Sequence, residues 1–263
     1  MTRGNRLRER SLRPLNAPAS PVASVHQPND RLSGSITTRS PRCVALYPDG
    51  NVRWAARHGL SAMEGHLAGS EVAIQRVLDA CELGIEQLSL FGFSSDNMKR
   101  SSAEVASVMQ IVATQFDRGV ELLDRSGIRL QVVGSRSGLP QLMLDAVDRI
   151  EAATAHHSRM QLFVALNYGG RQELLEAAQR YNGGGEEVFR RLLCAPEMRE
   201  LDLVIRTGGE QRLSNGYLWQ SAYSELVFDD ELWPDFTRER LEMALADFGQ
   251  RVRTLGRAHR RLG

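Results

Sequence analysis

Asp49, Gly50, Asn51 and Arg53 follow an apolar run, Val44 to Tyr47, and are interleaved with Val52, Trp54 and Ala55. The run reads as a buried strand, Pro48-Asp49-Gly50 as a turn, and the residues beyond as the first turn of a helix. Such a junction offers free backbone N–H groups and the positive end of a helix dipole, so it favours an anion. Gly50 would let backbone approach a phosphate and Arg53 would supply fixed positive charge. Asp49 could hold Mg²⁺ against the same phosphates. The same residues also suit a plain strand–turn–helix corner with a solvated Asp and Arg.

Polar loops recur where other apolar runs end: Ser94 to Arg100, Asn167 to Arg171, and Arg206 to Ser214. In a parallel sheet these ends share one edge. The loops would then gather arginines, hydroxyls and a few carboxylates around one crevice, a composition suited to two phosphate-bearing ligands and a divalent ion. A solvated basic face is the alternative.

The elements that must position these loops alternate along the chain. Strands are expected near 44–47, 86–93, 128–133, 160–166, 203–205 and 225–228. Helices are expected up to Leu83, then near 102–126, 138–154, 171–181, 185–194 and 237–260. Alternation of this kind predicts an α/β fold, a single domain over 41–263 with a mostly parallel central sheet flanked by helices. The helix over 102–126 is apolar around much of its circumference. It either packs wholly into the core or lines an apolar tunnel beside the phosphate crevice, which would suit a prenyl diphosphate.

The 263 residues carry a net charge of +1, which implies no general attraction to nucleic acid. Lys99 is the sole lysine among the 33 basic residues, which reads as coding bias, and an arginine at a phosphate site would still suit it through its bidentate fork. Cys43, Cys81 and Cys194 have no metal-type spacing and read as reduced thiols of a cytoplasmic protein. No apolar run approaches the ~18 residues of a spanning helix, so membrane contact would be peripheral or through a lipid product. Residues 1–40, rich in Arg, Ser and Pro, read as a disordered tail. They are acid-poor, as transit peptides are, but Pro14, Pro18, Pro21 and Pro28 oppose a continuous amphipathic helix. His156-His157 reads as a solvated surface pair.

Taken together, several stretches resemble the cis-prenyltransferases, typified by undecaprenyl diphosphate synthase. They are Asp49-Gly-Asn51-x-Arg53-Trp54-Ala55, Gly65-His66-x-x-Gly69, Phe93-Ser94-Ser95-Asp96-Asn97-x-Lys-Arg100 and Asn167-Tyr-Gly-Gly-Arg171. Asp202-Leu-Val-Ile-Arg206-Thr-Gly-Gly-Glu210-Gln-Arg212-Leu-Ser214-Asn215, Leu218-Trp-Gln-x-Ala-Tyr-Ser-Glu225 and Leu232-Trp-Pro-Asp-Phe236 complete the series. The resemblance runs from about Cys43 to the C-terminus. It implies a homodimer, or a heterodimer in some branches, and a Mg²⁺-dependent reaction. That reaction joins an allylic prenyl diphosphate to isopentenyl diphosphate with a new cis double bond.

By resemblance, Asp49 is the key catalytic carboxylate for Mg²⁺ and diphosphate, and Glu225 contributes to the metal. Gly50, Asn51 and Arg53 would cradle the allylic diphosphate, with Trp54 in the same loop either beside it or packing. Asn97, catalytic with Asp49, would lie beside the reacting ends with Ser94 and His66, Ser95 would bind substrate, and Arg100 would reach the diphosphates. Arg206, Arg212 and Ser214 would bind isopentenyl diphosphate. His66 alone would read as a capping or core histidine; its place in the motif raises it. Glu210 reads as a partner of a neighbouring arginine.

The chain departs from the family pattern at Cys43 (usually His), Pro48 (Met), Val52 (small or polar), Met98 (Trp) and Ser101 (Pro). Ala62 stands where many members carry an arginine on the allylic diphosphate, and one lost charge-assisted contact is worth about 1.5–3 kcal/mol. Arg253-Thr254-Leu255-Gly256 stands where the family ends Arg-Arg-Phe-Gly, and Arg260-Arg261-Leu262-Gly263 is a second candidate. The changes cluster on the allylic side. They suit a specialised member, with another primer, a short product or irregular lavandulyl-type coupling. Gly92 points the other way, leaving room where short-chain members carry bulk. A non-catalytic accessory subunit is the third reading, and such subunits tend to lose the carboxylate at Asp49.

Overall fold

A computed structural model describes residues 40–254 of the chain. Six strands, all parallel, form one sheet in the order β3-β4-β2-β1-β5-β6. They are β1 (Cys43–Tyr47), β2 (Gln87–Ser94), β3 (Ile128–Val133), β4 (Met160–Tyr168), β5 (Leu203–Arg206) and β6 (Glu225–Phe228). All five residues of β1 are buried. A parallel sheet is covered on both faces, so its central strands need no polar side.

The two faces of β1 alternate strictly. Val44 and Leu46 join one apolar cluster, Ala45 and Tyr47 the other. The larger cluster lies under α2 (Ala62–Glu82), α3 (Ser102–Ser126), α4 (Gln141–Thr154) and α7 (Arg238–Gln250). The second is smaller, with Tyr47, Phe163, Tyr168, Met198 and Tyr217. The remaining helices are α1 (Asn51–Arg57), α5 (Gly170–Arg180) and the short α6 (Glu186–Arg190).

The helices that frame the site begin at sequence-encoded caps. Ser61 and Glu64 form a capping box ahead of α2, and Ser101 accepts from the Glu104 N–H ahead of α3. Gly127, in the left-handed region, ends α3.

The expected sheet and its six strands are found. α4 starts three residues later than expected, at Gln141, and two helices are much shorter than expected. α6 starts only after the glycines at 183–185 and stops at Arg190, and α7 stops at Gln250. At that point Arg251 turns extended and its guanidinium takes Glu225, Asp247 and the Leu226 carbonyl. The tail expected over 1–40 lies, save Ser40, outside the described residues, as do both glycines of the C-terminal motifs.

Candidate active site

β1 has β2 on one side and β5 on the other, so the chain's direction of travel reverses there, and the crevice outside its carboxyl end is where ligands bind in such sheets. A polar cavity of about 320 Å³ lies there. Asp49 reaches it from β1, Ser94, Asn97 and Arg100 from β2 and the turn beyond, and Arg206, Arg212 and Ser214 from β5 and its loop. Three guanidiniums against one carboxylate make it a site for anions.

Asp49 sits in the middle of this frame. Its Oδ2 accepts from Arg206 Nη2 at 2.8 Å and its Oδ1 from Arg53 Nη2 at 3.1 Å. Arg206 is buried, and its Nη1 donates to the Arg212 carbonyl and, at 2.7 Å, to Ser214 Oγ. One guanidinium thereby ties the β5 loop to β1. Arg53 donates to the Gly208 carbonyl at 2.8 Å and lies 3.4 Å from Glu210, which also pairs with Arg212. Ser214 and Asn215 hold left-handed backbone, φ 46° and 64°. Asn215 accepts from the Arg171 N–H at 2.9 Å, which fixes the turn against α5.

Asn97 and Ser94 lock each other. The Ser94 N–H donates to Asn97 Oδ1 at 3.0 Å and the Asn97 N–H to Ser94 Oγ at 3.2 Å. Arg100 rests on Glu104 at 2.9 Å in the first turn of α3.

Gly50 has φ 110°, a conformation L side chains rarely adopt, and a Cβ there would come within 2.7 Å of Leu232. Gly69 has a different purpose: a Cβ would overlap the Asn51 amide oxygen. The small residues of Gly65-His66-x-x-Gly69 let α2 lie directly against the start of α1. The same motif presents His66, half-buried, whose Nε2 is buried with no protein hydrogen bond. Burial first, then Arg100, lowers its pKa below the ordinary 6.5, against a smaller upward pull from Glu104.

A second, apolar cavity of about 180 Å³ opens beside the first. His66 and Asn51 stand at its polar end, and Val108, Val112, Phe116, Leu123 and Leu162 are among its walls. α3 therefore both packs into the core and lines a chamber. Pro48 and Gly92 belong to both cavities.

Five expected site residues line neither cavity: Gly50 and Arg53 adjoin Asp49 at the rim, and Glu225, Trp54 and Ser95 have other partners. Glu225 opens β6, in register with Leu203, whereas Arg206 is in register with Phe228. Glu225 is thus at the opposite edge of the sheet from Asp49, paired with Arg251 at 3.1 Å, and within one chain the two carboxylates do not meet. Trp54 donates its indole N–H to Asp235 at 2.8 Å and lines neither cavity. Ser95 packs its hydroxyl against Gly169 and also lines neither. One participant was not singled out. Thr207 Oγ1 accepts from the Asp49 N–H at 2.8 Å and donates to the Asp49 carbonyl at 2.9 Å, holding that turn in place.

The prenyltransferase family described as "Putative undecaprenyl diphosphate synthase" matches residues 47–256. This chain belongs to that family. Among its relatives, an isoprenyl transferase of Thermotoga maritima is 42% identical over 227 residues, covering 83% of this chain and 97% of that protein. The (2E,6E)-farnesyl-diphosphate-specific ditrans,polycis-undecaprenyl-diphosphate synthase of Escherichia coli is 38% identical, over 89% of this chain and 96% of that protein. A crystal structure of lavandulyl diphosphate synthase from Lavandula x intermedia, with dimethylallyl diphosphate, superposes with a TM-score of 0.80. It is 32% identical and covers 82% of this chain and 98% of that one. The chain is a cis-prenyltransferase by these relationships, and its fold is theirs.

Proposed function

We propose that the protein condenses isopentenyl diphosphate with an allylic prenyl diphosphate, forming a Z-polyprenyl diphosphate and releasing pyrophosphate. The observation that carries this reading is the meeting of the two cavities at Pro48 and Gly92. An arginine-lined polar crevice and an apolar chamber share one wall, as a diphosphate joined to a hydrocarbon tail requires.

The allylic diphosphate would lie with its charge on the Asp49 turn and its tail in the chamber. Isopentenyl diphosphate would take Arg206, Arg212 and Ser214. Breaking the allylic C–O bond leaves a stabilised cation and pyrophosphate, and preorganised guanidiniums stabilise the charge that develops on the leaving group. The terminal alkene carbon of isopentenyl diphosphate then bonds to the cation, and a proton leaves from its C2. Asn97 and Ser94, fixed by their mutual bonds, would orient the reacting ends. Neutral His66 stands at the chamber mouth with a free ring nitrogen and would orient a group there or help the proton depart.

Asp49 fits Mg²⁺. It is a partly exposed hard-oxygen donor in a diphosphate-sized crevice, and Mg²⁺ is commonly held by one or two carboxylates with the rest of its shell from phosphates and water. Bound there, the ion would neutralise leaving-group charge. Glu225 of the same chain has no place in that shell. A homodimer and peripheral contact with membrane through the lipid product are part of the reading by family resemblance. No helix among the described residues is long and apolar enough to cross a membrane. Cytoplasmic location is in keeping with the three free thiols.

The likeness to lavandulyl diphosphate synthase raises irregular coupling of two short units. The test is incubation of purified protein and Mg²⁺ with dimethylallyl, geranyl or farnesyl diphosphate, with and without labelled isopentenyl diphosphate. Label in a regular chain supports elongation. Product without isopentenyl diphosphate supports irregular coupling. Silence in every arm, matched by Asp49→Ala, would favour an accessory subunit.

A further inference from the structure

Far from the crevice, at the other end of α3, three metal-ligating side chains converge. Asp124 lies in the last turn of α3, and His156 and His157 lie in the connection from α4 to β4. Their donor atoms all lie within 4.8 Å of one another. His157 Nε2 is 2.9 Å and His156 Nε2 is 3.7 Å from the same oxygen, Asp124 Oδ1.

We propose that Asp124, His156 and His157 form a binding site for a divalent transition ion of the Zn²⁺ class, separate from the diphosphate crevice. Two imidazole nitrogens and one carboxylate oxygen are borderline donors that suit Zn²⁺, Co²⁺ or Ni²⁺, whereas Mg²⁺ prefers oxygen alone. Four-coordinate zinc has bonds of about 2.0–2.2 Å, so its ligand atoms stand some 3–4 Å apart, close to the separations here. Both histidines present the same ring nitrogen, Nε2, and their ring centroids lie 3.9 Å apart. Water can fill the fourth position, because His156 and Asp124 are exposed.

The backbone holds the donors in place without the ion. Gly127 stops α3, and its carbonyl accepts from the Arg159 N–H at 3.0 Å, docking the α4–β4 connection on the helix end. The His157 N–H donates to the Thr154 carbonyl at 3.1 Å. Arg159, the nearby cation, turns its guanidinium to the Ser126 carbonyl at 3.4 Å and not to Asp124. An ion here would staple α3 to that connection, in the same helical turn as Leu122 and Leu123 in the wall of the apolar chamber.

The test uses full-length untagged protein and the metals alone. Equilibrium dialysis against Zn²⁺ should give one equivalent per chain, and Co²⁺ should give the intense visible absorption of a tetrahedral site. His157→Gln and Asp124→Asn should each weaken Zn²⁺ binding about tenfold or more, since even outer-shell losses cost 10–100-fold. Zn²⁺ should raise the unfolding midpoint of the wild type and not of the His156→Gln/His157→Gln double variant. The same uptake and stabilisation in that double variant would overturn the proposal. So would no uptake by the wild type, which would leave the cluster as histidine–carboxylate hydrogen bonds alone. If the double variant fails to fold, Asp124→Asn, at an exposed position, carries the comparison.

Discussion

Asp49 and Arg206 face each other at 2.8 Å across the paired ends of β1 and β5, and Arg206 has its other Nη on the loop that carries Ser214. Arg206 is buried while Asp49 is partly exposed, so the acid is the more accessible member of a pair that both line the crevice. Asp49→Asn keeps the shape and removes the charge. Turnover should fall by roughly 10²–10³, the usual cost of losing one preorganised electrostatic contact. Steady-state kinetics with varied Mg²⁺ checks this, and wild-type turnover in the variant would remove Asp49 from the chemistry.

Gly69→Ala should destabilise the fold by about 1–3 kcal/mol, because the new methyl overlaps the Asn51 amide in a tightly packed seam between α1 and α2. Chemical denaturation measures it. An unchanged midpoint would show that α2 can shift without cost.

Ser94 and Asn97 should behave as one unit. Each holds the other's backbone N–H, so Ser94→Ala and Asn97→Ala should fail to add, with a coupling of about 0.5–3 kcal/mol in kcat/KM. Additive losses would mean that they act separately on substrate.

His66 sets a pH dependence of known sign. Its folded pKa is lowered by burial and by Arg100, so below the ordinary 6.5 the unfolded chain takes up a proton that the folded chain resists. Its contribution to stability is complete above 6.5 and is lost as pH falls toward the folded value. Between about pH 7 and about pH 5 the wild-type melting midpoint should drop further than that of His66→Gln. Equal drops would place the imidazole in solvent.

The polar strand ends made the crevice legible, because residues that follow parallel strands must share an edge. Asp49, Asn97, Arg206 and Ser214 line the crevice as that rule expects, whereas the expected loop Asn167 to Arg171 contributes no residue to its lining. Glu225 shows the rule's other half: it opens β6, and a residue that opens a parallel strand lies on the far edge. Trp54 could not be placed by local pattern, since its partner Asp235 is 181 residues away in the chain. Thr207 was within reach, since it directly follows Arg206. Its use of both hydroxyl roles on one turn depends on β1 and β5 being neighbours, which alternation of elements does not disclose. The end of α7 was missed for a related reason. Helical periodicity continues in the sequence, but Arg251 gains more from two carboxylates and a carbonyl than from one more helical turn.

The wall shared by the two cavities at Pro48 and Gly92 bears on how long a growing chain stays bound. In the proposed reaction each condensation releases one pyrophosphate and leaves one diphosphate on the product, so the hydrocarbon is the part whose hold would grow with each round. Hydrocarbon remains in the chamber throughout. At about 0.8 kcal/mol per buried carbon, each five-carbon unit adds roughly 4 kcal/mol of hold while space lasts. In the proposed elongation, short intermediates would therefore escape more readily than longer ones, up to the length that the chamber of about 180 Å³ can hold. Processivity would arise from the product's own length, with no clamp or moving part needed to enforce it.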